Sequence, residues 1–531
     1  MDALTARRAA AVAATVLAFG SDMVKAAQLR TLDVVEASIA ELQDAMSAGR
    51  ITSKALTARY LARINAIDKA GPRINAVIEV NPDALAIAAA LDKERRQKGP
   101  RGPLHGIPVL IKDNIATADR MQTTAGSLAL AGVKPPRDAF IVTRLREAGA
   151  VILGKTNLSE WANIRSTRST SGWSARGGLT RNPYALDRNT SGSSSGSGAA
   201  IAASLAAAAV GTETDGSITS PAAVNGLVGV KPTVGLASRA GIVPIAHSQD
   251  TPGPMARTVA DAAALLTVLA ASDPRDDATR EAAAHAIDYT RHLDAKALDG
   301  ARLGVVRGQF GGRNDLVSAE IEKALEALKA AGAILVEIPA MPNAGKYTQS
   351  ELDVLLYELK ADLAAYLAEY APGAPVKTLA DVIAFNERNK AKEMPYFGQE
   401  LFVQAQAKGG LDSPAYLEAL AANRKLTREE GIDKVLAENR LDALIAPTGG
   451  PAWLIDFIKG DASGGGFTSP AAVAGYPHVT VPAGFVNGLP CGISFVGTAW
   501  SEARLVALAY AFEQATHHRR APTYPKTING W

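Results

Sequence analysis

Apolar and polar positions along the chain change period several times. Leu56, Tyr60, Leu61, Ile64 and Ile67 fall on one face at helical spacing, which predicts helix through residues 29–70, ended by Gly71-Pro72. Residues 74–80 then read as a strand, and Asn81-Pro82 as the cap and first position of a new helix. Residues 109–111 form a short apolar strand with Lys112 at its end. An amphipathic helix from Asp138 to Gly149 and a strand at 151–153 follow. Residues 160–192 show no period and are rich in glycine, serine and asparagine, whereas 199–210, almost all alanine with isoleucine, leucine and valine, predict a helix suited to close burial.

The alternation resumes with a strand at 302–306, a helix at 318–331 and a strand at 334–338. Residues 340–430 are mainly helical and more polar, the pattern of an insertion or cover. Strands return at 444–445, 479–481 and 493–496, and a helix from Ser501 to about Thr516 closes the chain. No internal repeat is present. Strands alternating with helices predict an α/β class: a layered α/β/α domain with a largely buried sheet and surrounding helices.

Bulk composition narrows the function. The chain has 531 residues, 47% apolar and 21% charged, ordinary values for a folded protein. A net charge of +3 with no long lysine or arginine block argues against nucleic acid as a partner. Arg7-Arg8, the apolar stretch 9–19 and Val24-Lys25-Ala26 have the shape of a secretory signal over 1–27, too short to span a membrane. Export is therefore expected, with residues 28–531 as a single domain. The alternative is an alanine-rich helix and a cytoplasmic address. The lone cysteine, Cys491, sits in an apolar run and reads as a buried core thiol.

Gly192-Ser-Ser-Ser-Gly-Ser-Gly198 is the most unusual segment. A flexible linker is excluded by the apolar stretch it feeds. A phosphate loop lacks the Lys-Ser/Thr pair that should follow the glycines. A nucleophile elbow requires a strand immediately before it, and residues 181–190 have no strand character. The adjacent His517-His518 cannot both point at one metal from a helix, and Trp173 and Trp453 suit packing as well as a pocket.

Taken together, that loop, Gly211-Thr-Glu-Thr-Asp-Gly-Ser217 and His105-Gly-Ile-Pro-Val-Leu-Ile-Lys112-Asp-Asn114 resemble the amidase signature family. So do Gly154-Lys-Thr-Asn-Leu-Ser-Glu160, Val230-Lys-Pro-Thr233 and Ala474-Gly-Tyr-Pro477, and the resemblance spans most of the chain after residue 50. It implies Ser217 as acyl-forming nucleophile, Ser193 as bridging serine beside a cis peptide bond, and Lys112 as base. It also implies a central mixed sheet and backbone donors around Thr214, Asp215 and Gly216 for the oxyanion, with no metal or organic cofactor. A serine hydroxyl is a weak nucleophile without a base in reach, and a lysine serves as base only when burial removes its charge.

The sequence departs from the commonest family pattern. Glu213 replaces an aspartate, Asp215 a glycine, and Thr219 stands where arginine is frequent. These departures, with Gly172-Trp-Ser-Ala-Arg-Gly-Gly178 and Ser248-Gln-Asp-Thr251, are similar to the peptide amidase branch, whose members remove the C-terminal amide of peptides. The expected partner is thus a small-molecule or peptide amide, with no obligatory protein partner. The alternatives are a general aliphatic or aryl amidase, and the glutaminase subunit of a transamidating complex. A catalytically dead binding protein is disfavoured by the intact Lys112, Ser193 and Ser217.

Overall fold

The computed structural model describes residues 33–310, 315–463 and 465–528, so the candidate export signal at 1–27 lies outside it. Thirteen strands are present among the described residues: β1 (Val77–Val80), β2 (Pro108–Lys112), β3 (Val151–Thr156), β4 (Trp173–Ser174), β5 (Gly178–Leu179), β6 (Ala208–Glu213), β7 (Val228–Lys231), β8 (Thr251–Ala256), β9 (Arg302–Val306), β10 (Ile334–Ile338), β11 (Ala443–Pro447), β12 (His478–Val486) and β13 (Leu489–Val496). Strands β4 and β5 form a small ribbon; the other eleven make one sheet in the order β1-β3-β2-β6-β8-β7-β12-β13-β11-β9-β10.

The sheet is mixed, as predicted, and the mixture is regional. Strand β2 runs parallel to β3 and β6, with Leu110 opposite Gly154 and Ile111 opposite Val210. Strands β9, β10 and β11 are likewise parallel at the far flank, while the middle from β6 through β13 is antiparallel. Every residue of β2, β3, β6, β7, β8, β11 and β13 is buried, while the edge strands β1 and β10 are largely part-exposed. Helices sandwich the sheet, and Val259–Leu269 and Glu502–Thr516 bury one long apolar face each against it.

Three expectations change. The predicted helix over 29–70 is two among its described residues, Ile39–Ser47 and Ser53–Arg63, the second continuing as a wider π turn over Ile64–Lys69. Gly49, at φ +67°, ends the first, and the Thr52 hydroxyl caps the second by accepting from Ala55 N–H at 3.1 Å. The helix after Asn81-Pro82 begins at Ala84, because Asn81 Oδ1 accepts from Asp83 N–H at 2.9 Å and makes a turn first.

The alanine stretch 199–210 is divided. The helix is Ser195–Ala202; it stops at Ser204, which has φ +51°, and residues 208–213 are the central strand β6. Alanine on all sides suits a buried helix and a strand flanked by close neighbours equally, so periodicity cannot separate them. Strands β7 and β8 escaped prediction for a different reason. Strand β8 reads Thr-Pro-Gly-Pro-Met-Ala, and its two prolines signal turns, not a central strand.

Residues 340–430 do form the expected helical region, led by Thr348–Tyr370 with Leu379–Arg388, Glu400–Ala407 and Pro414–Arg424 packed beside it. No helix among the described residues is long and apolar enough to cross a membrane.

Candidate active site

The site lies where the parallel strands β2 and β6 end, the edge at which open α/β sheets place ligands. Lys112 is the last residue of β2 and is 0% exposed. Its Nζ lies 2.8 Å from Ser193 Oγ, 2.8 Å from Thr212 Oγ1 and 3.2 Å from the Thr212 carbonyl. Asn114 Nδ2 donates to the same Thr212 hydroxyl at 3.0 Å. No carboxylate among the described residues touches the amine. Burial lowers the Lys112 pKa to about 7, opposed only in part by the more distant Asp250 and Glu213. Without an ion-pair partner the cost of stripping water from an ammonium falls on the charged form, so the neutral amine is favoured.

Two other buried lysines show what this pocket adds. Lys155 Nζ donates to the Ile115 carbonyl and to Thr123 Oγ1, and Lys231 Nζ to the Pro232 carbonyl. Burial pulls each of them down to about 8. Among the three, only Lys112 is bonded to a serine hydroxyl.

The glycine/serine loop is a packed turn. The Gly192–Ser193 peptide bond is cis. A side chain on Gly196 would meet the backbone oxygens of Ala76 and Asn157 at 2.3 and 2.5 Å, and one on Gly192 would strike Ser159 Oγ at 2.2 Å. The glycines therefore permit close approach, not flexibility. Each serine hydroxyl is committed locally: Ser195 Oγ donates to the Ser191 carbonyl at 2.6 Å, Ser197 pairs with Thr156 at 2.8 Å, and Ser194 Oγ donates to the Thr212 carbonyl at 3.0 Å. Ser193 is 0% exposed and faces Lys112.

Ser194 N–H donates to the Ser217 carbonyl at 3.1 Å, which seats the second serine segment against the first. Ser217 is 7% exposed, and its hydroxyl makes no hydrogen bond among the described residues, to Ser193 or to any other group. Lys112 and Ser193 are thus in contact, and Ser217 joins them through the backbone. Gly216 sits at φ +78°, where a Cβ would approach Thr468 to 3.1 Å. The N–H groups of Asp215, Gly216 and Ser217 find no protein acceptor among the described residues. Three unpaired donors in one turn make a cradle for a negative oxygen.

The departures from the common family pattern have structural consequences. Glu213 is buried at the end of β6; its Oε2 accepts from Ile218 N–H at 2.7 Å and Thr219 N–H at 2.9 Å, and Thr219 Oγ1 donates to it at 3.1 Å. Burial raises its pKa, and Lys231 pulls it back. The carboxylate fixes the turn after Ser217 from within. Thr214 Oγ1 donates to Asp250 Oδ1 at 2.5 Å, and burial raises the Asp250 pKa to about 6 against that bond. Motif reading placed Thr212, Glu213 and Thr214 in the right segment and singled out Ser248-Gln-Asp-Thr251 but gave Asp250 no role; β8 pairing with β6 brings it to Thr214.

A cavity of about 240 Å³ opens beside Thr212 and Thr214, walled by Ile242, Ile245, Tyr366 and Tyr370, the last two from the helical cover. The remaining candidate residues resolve into packing. Trp173 is buried edge-on against Tyr396 and Phe397, with ring centroids at 5.5 and 5.3 Å. Trp453 Nε1 donates to Asp461 at 3.2 Å beside a separate cavity. His517 is exposed and His518 lies against Phe512. Cys491 is buried in β13, its thiol pushed up to about 12 by burial.

Fold and site together define an amide-bond hydrolase built on a mixed, buried sheet. A model of the amidase family matches residues 55–506, and the chain belongs to that family, the amidase signature enzymes. It is 44% identical to a probable amidase of Arabidopsis thaliana over 94% of both chains. It is similar to the crystal structure of native peptide amidase from Stenotrophomonas maltophilia at 53% identity and a TM-score of 0.86, covering 92% of this chain and 99% of that one. It is also 36% identical to a glutamyl-tRNA(Gln) amidotransferase subunit of Halorhodospira halophila, over 91% of this chain and 98% of that one.

Proposed function

We propose that the protein hydrolyses carboxamides through an acyl-enzyme on Ser217, with Ser193 and neutral Lys112 as the proton relay, and that it acts on peptides bearing a C-terminal amide. The observation that carries the reading is the bond between Ser193 Oγ and a fully buried Lys112 with no acidic partner among the described residues. Ser217 Oγ attacks the amide carbon and releases its proton to Ser193, which passes its own to Lys112. The carbonyl electrons move onto oxygen, which is received by the N–H groups of the turn around Thr214, Asp215 and Gly216. Collapse of this intermediate breaks the C–N bond, and the relay runs backward to protonate the nitrogen, so ammonia leaves. Water then attacks the ester by the same route and releases the acid and Ser217.

Two things support the peptide class. The chain is more similar to a peptide amidase than to the amidotransferase relative, with 53% identity to the first and 36% to the second. The Ser248-Gln-Asp-Thr251 segment lies at the site, where Gln249 Nε2 donates to the Thr214 carbonyl at 3.3 Å. The test is ammonia release from a peptide amide, the matching peptide acid and a simple aliphatic amide, with Ser217→Ala as control. The reading expects release from the peptide amide alone, abolished in the variant. Release chiefly from the aliphatic amide would replace it with a general amidase, and activity surviving Ser217→Ala would remove the nucleophile.

A further inference from the structure

Glu351 comes from the helical cover, on the first turn of Thr348–Tyr370, and is buried. It lies within hydrogen-bonding reach of Asp215, in the turn that precedes Ser217. Gln249 Nε2 bridges the two regions, donating to Glu351 Oε1 at 3.1 Å and to the Thr214 carbonyl at 3.3 Å. Ser469 Oγ donates to Asp215 Oδ2 at 2.6 Å, but Asp215 Oδ1 is buried without a donor among the described residues. Two carboxylates cannot hydrogen-bond without a proton between them, and a buried acceptor left unpaired is costly. One proton on Glu351 satisfies both conditions.

We propose that Glu351 is a positioning residue for the amide chemistry: as a carboxylic acid it donates to Asp215 Oδ1 and clamps the Thr214–Gly216 backbone in the shape that receives the oxyanion. The proposal rests on the reading of Ser217 and its turn given above. Burial, and then the charge of Asp215, push the Glu351 carboxyl well above its ordinary value, in the direction the clamp requires. The other titratable groups facing the pair are Tyr347, whose phenol is raised by burial and by both carboxyls, and beyond Asp215 the buried Glu213 and Lys231. The acid form is the clamped one, so activity holds at lower pH and is lost as pH rises through the raised Glu351 value. Lys112 acts with the opposite sign, and Glu351→Gln removes one ionisation while leaving the other.

The test is kcat and KM for a peptide amide across pH in the wild type, Glu351→Gln and Glu351→Ala. Glutamine reproduces the clamp, its oxygen accepting from Gln249 and its amide donating to Asp215, but does not ionise. The expected wild-type profile falls as pH rises through the raised Glu351 value. Glu351→Gln retains kcat near neutrality within about 3-fold and lacks that fall. Glu351→Ala loses kcat by about 10-fold or more, the scale of one buried unpaired acceptor, with KM little changed. A wild-type profile flat at high pH, a Glu351→Gln profile that keeps the fall, or a Glu351→Ala enzyme with wild-type kcat would each overturn the clamp. Ser217→Ala is run alongside. Activity there removes the underlying reading, whereas loss there with an unchanged Glu351→Gln profile overturns the clamp alone.

Discussion

The sheet edge that carries Lys112 and the helical cover laid over it are held by different means. At the sheet edge, polar groups are wholly buried and satisfied by neighbours close in the chain, on the adjoining strand or in the glycine/serine loop: Lys112 by Thr212 and Ser193, Glu213 by Ile218 and Thr219. The cover, from 348 to 424, joins the main core through apolar residues such as Leu363, Leu367 and Phe402, and adds long-range polar bridges. Glu351 reaches Gln249, Glu358 Oε2 accepts from Ser248 N–H at 2.8 Å, and Glu393 accepts from Leu128 N–H at 2.8 Å. The sheet edge is buried throughout, and each of the cover's bridges to it carries a buried carboxyl. The proposed chemistry is thus built on the sheet edge, and Tyr366 and Tyr370 of the cover wall the cavity beside it.

Removing the base should give the largest effect. Lys112→Met is expected to lower kcat/KM by about 10³-fold, the scale of general-base catalysis, and leave the chain folded, since an apolar chain suits a fully buried position. In the wild type, kcat/KM should rise with pH through about 7, because the proton must leave Lys112 before the relay can accept one. A profile with no inflection near that value would contradict a neutral-lysine base.

Breaking the anchor of the cover comes next. Arg165 pairs with Glu160 at 3.0 Å with both side chains fully buried, and also donates to the Glu393 carbonyl. Arg165→Met should cost about 3–5 kcal/mol, since it strands a buried carboxylate, read as a lower midpoint in denaturant titration. Gly216→Ala tests the sheet edge by backbone alone. Its positive φ and the approach of Thr468 predict a loss of about 10²-fold in kcat, with a small change in denaturant midpoint. The smallest effect is expected at Cys491, buried in β13. Cys491→Ala should leave kcat unchanged and lower stability by about 1 kcal/mol, and the native thiol should resist alkylation until the protein unfolds.

The same division explains what the sequence revealed. Lys112, Ser193 and the 211–217 turn were legible because three segments in order resemble the amidase signature family; Lys112 and Ser193 stand 81 positions apart, a separation no local period joins. The buried sheet followed from short apolar runs between helices, and its mixed strand directions from the family resemblance. Strand β6 was hidden in an alanine stretch that suits either period, and β8 in its own prolines, so the pairing that brings Asp250 to Thr214 had no local signal. Glu351 was hidden more deeply. On a polar helix it resembles any surface glutamate, and only the fold turns it against Asp215.

The central claim is that Ser217 becomes acylated with the help of neutral Lys112. It is tested most directly by treating the enzyme with a serine-directed fluorophosphonate and mapping the adduct by peptide mass spectrometry, with Lys112→Met in parallel. The account predicts a single adduct on the Ser217 peptide, formed much more slowly in the variant. An adduct on Ser193 or another serine, or full amidase activity after treatment with Ser217 unmodified, would contradict it.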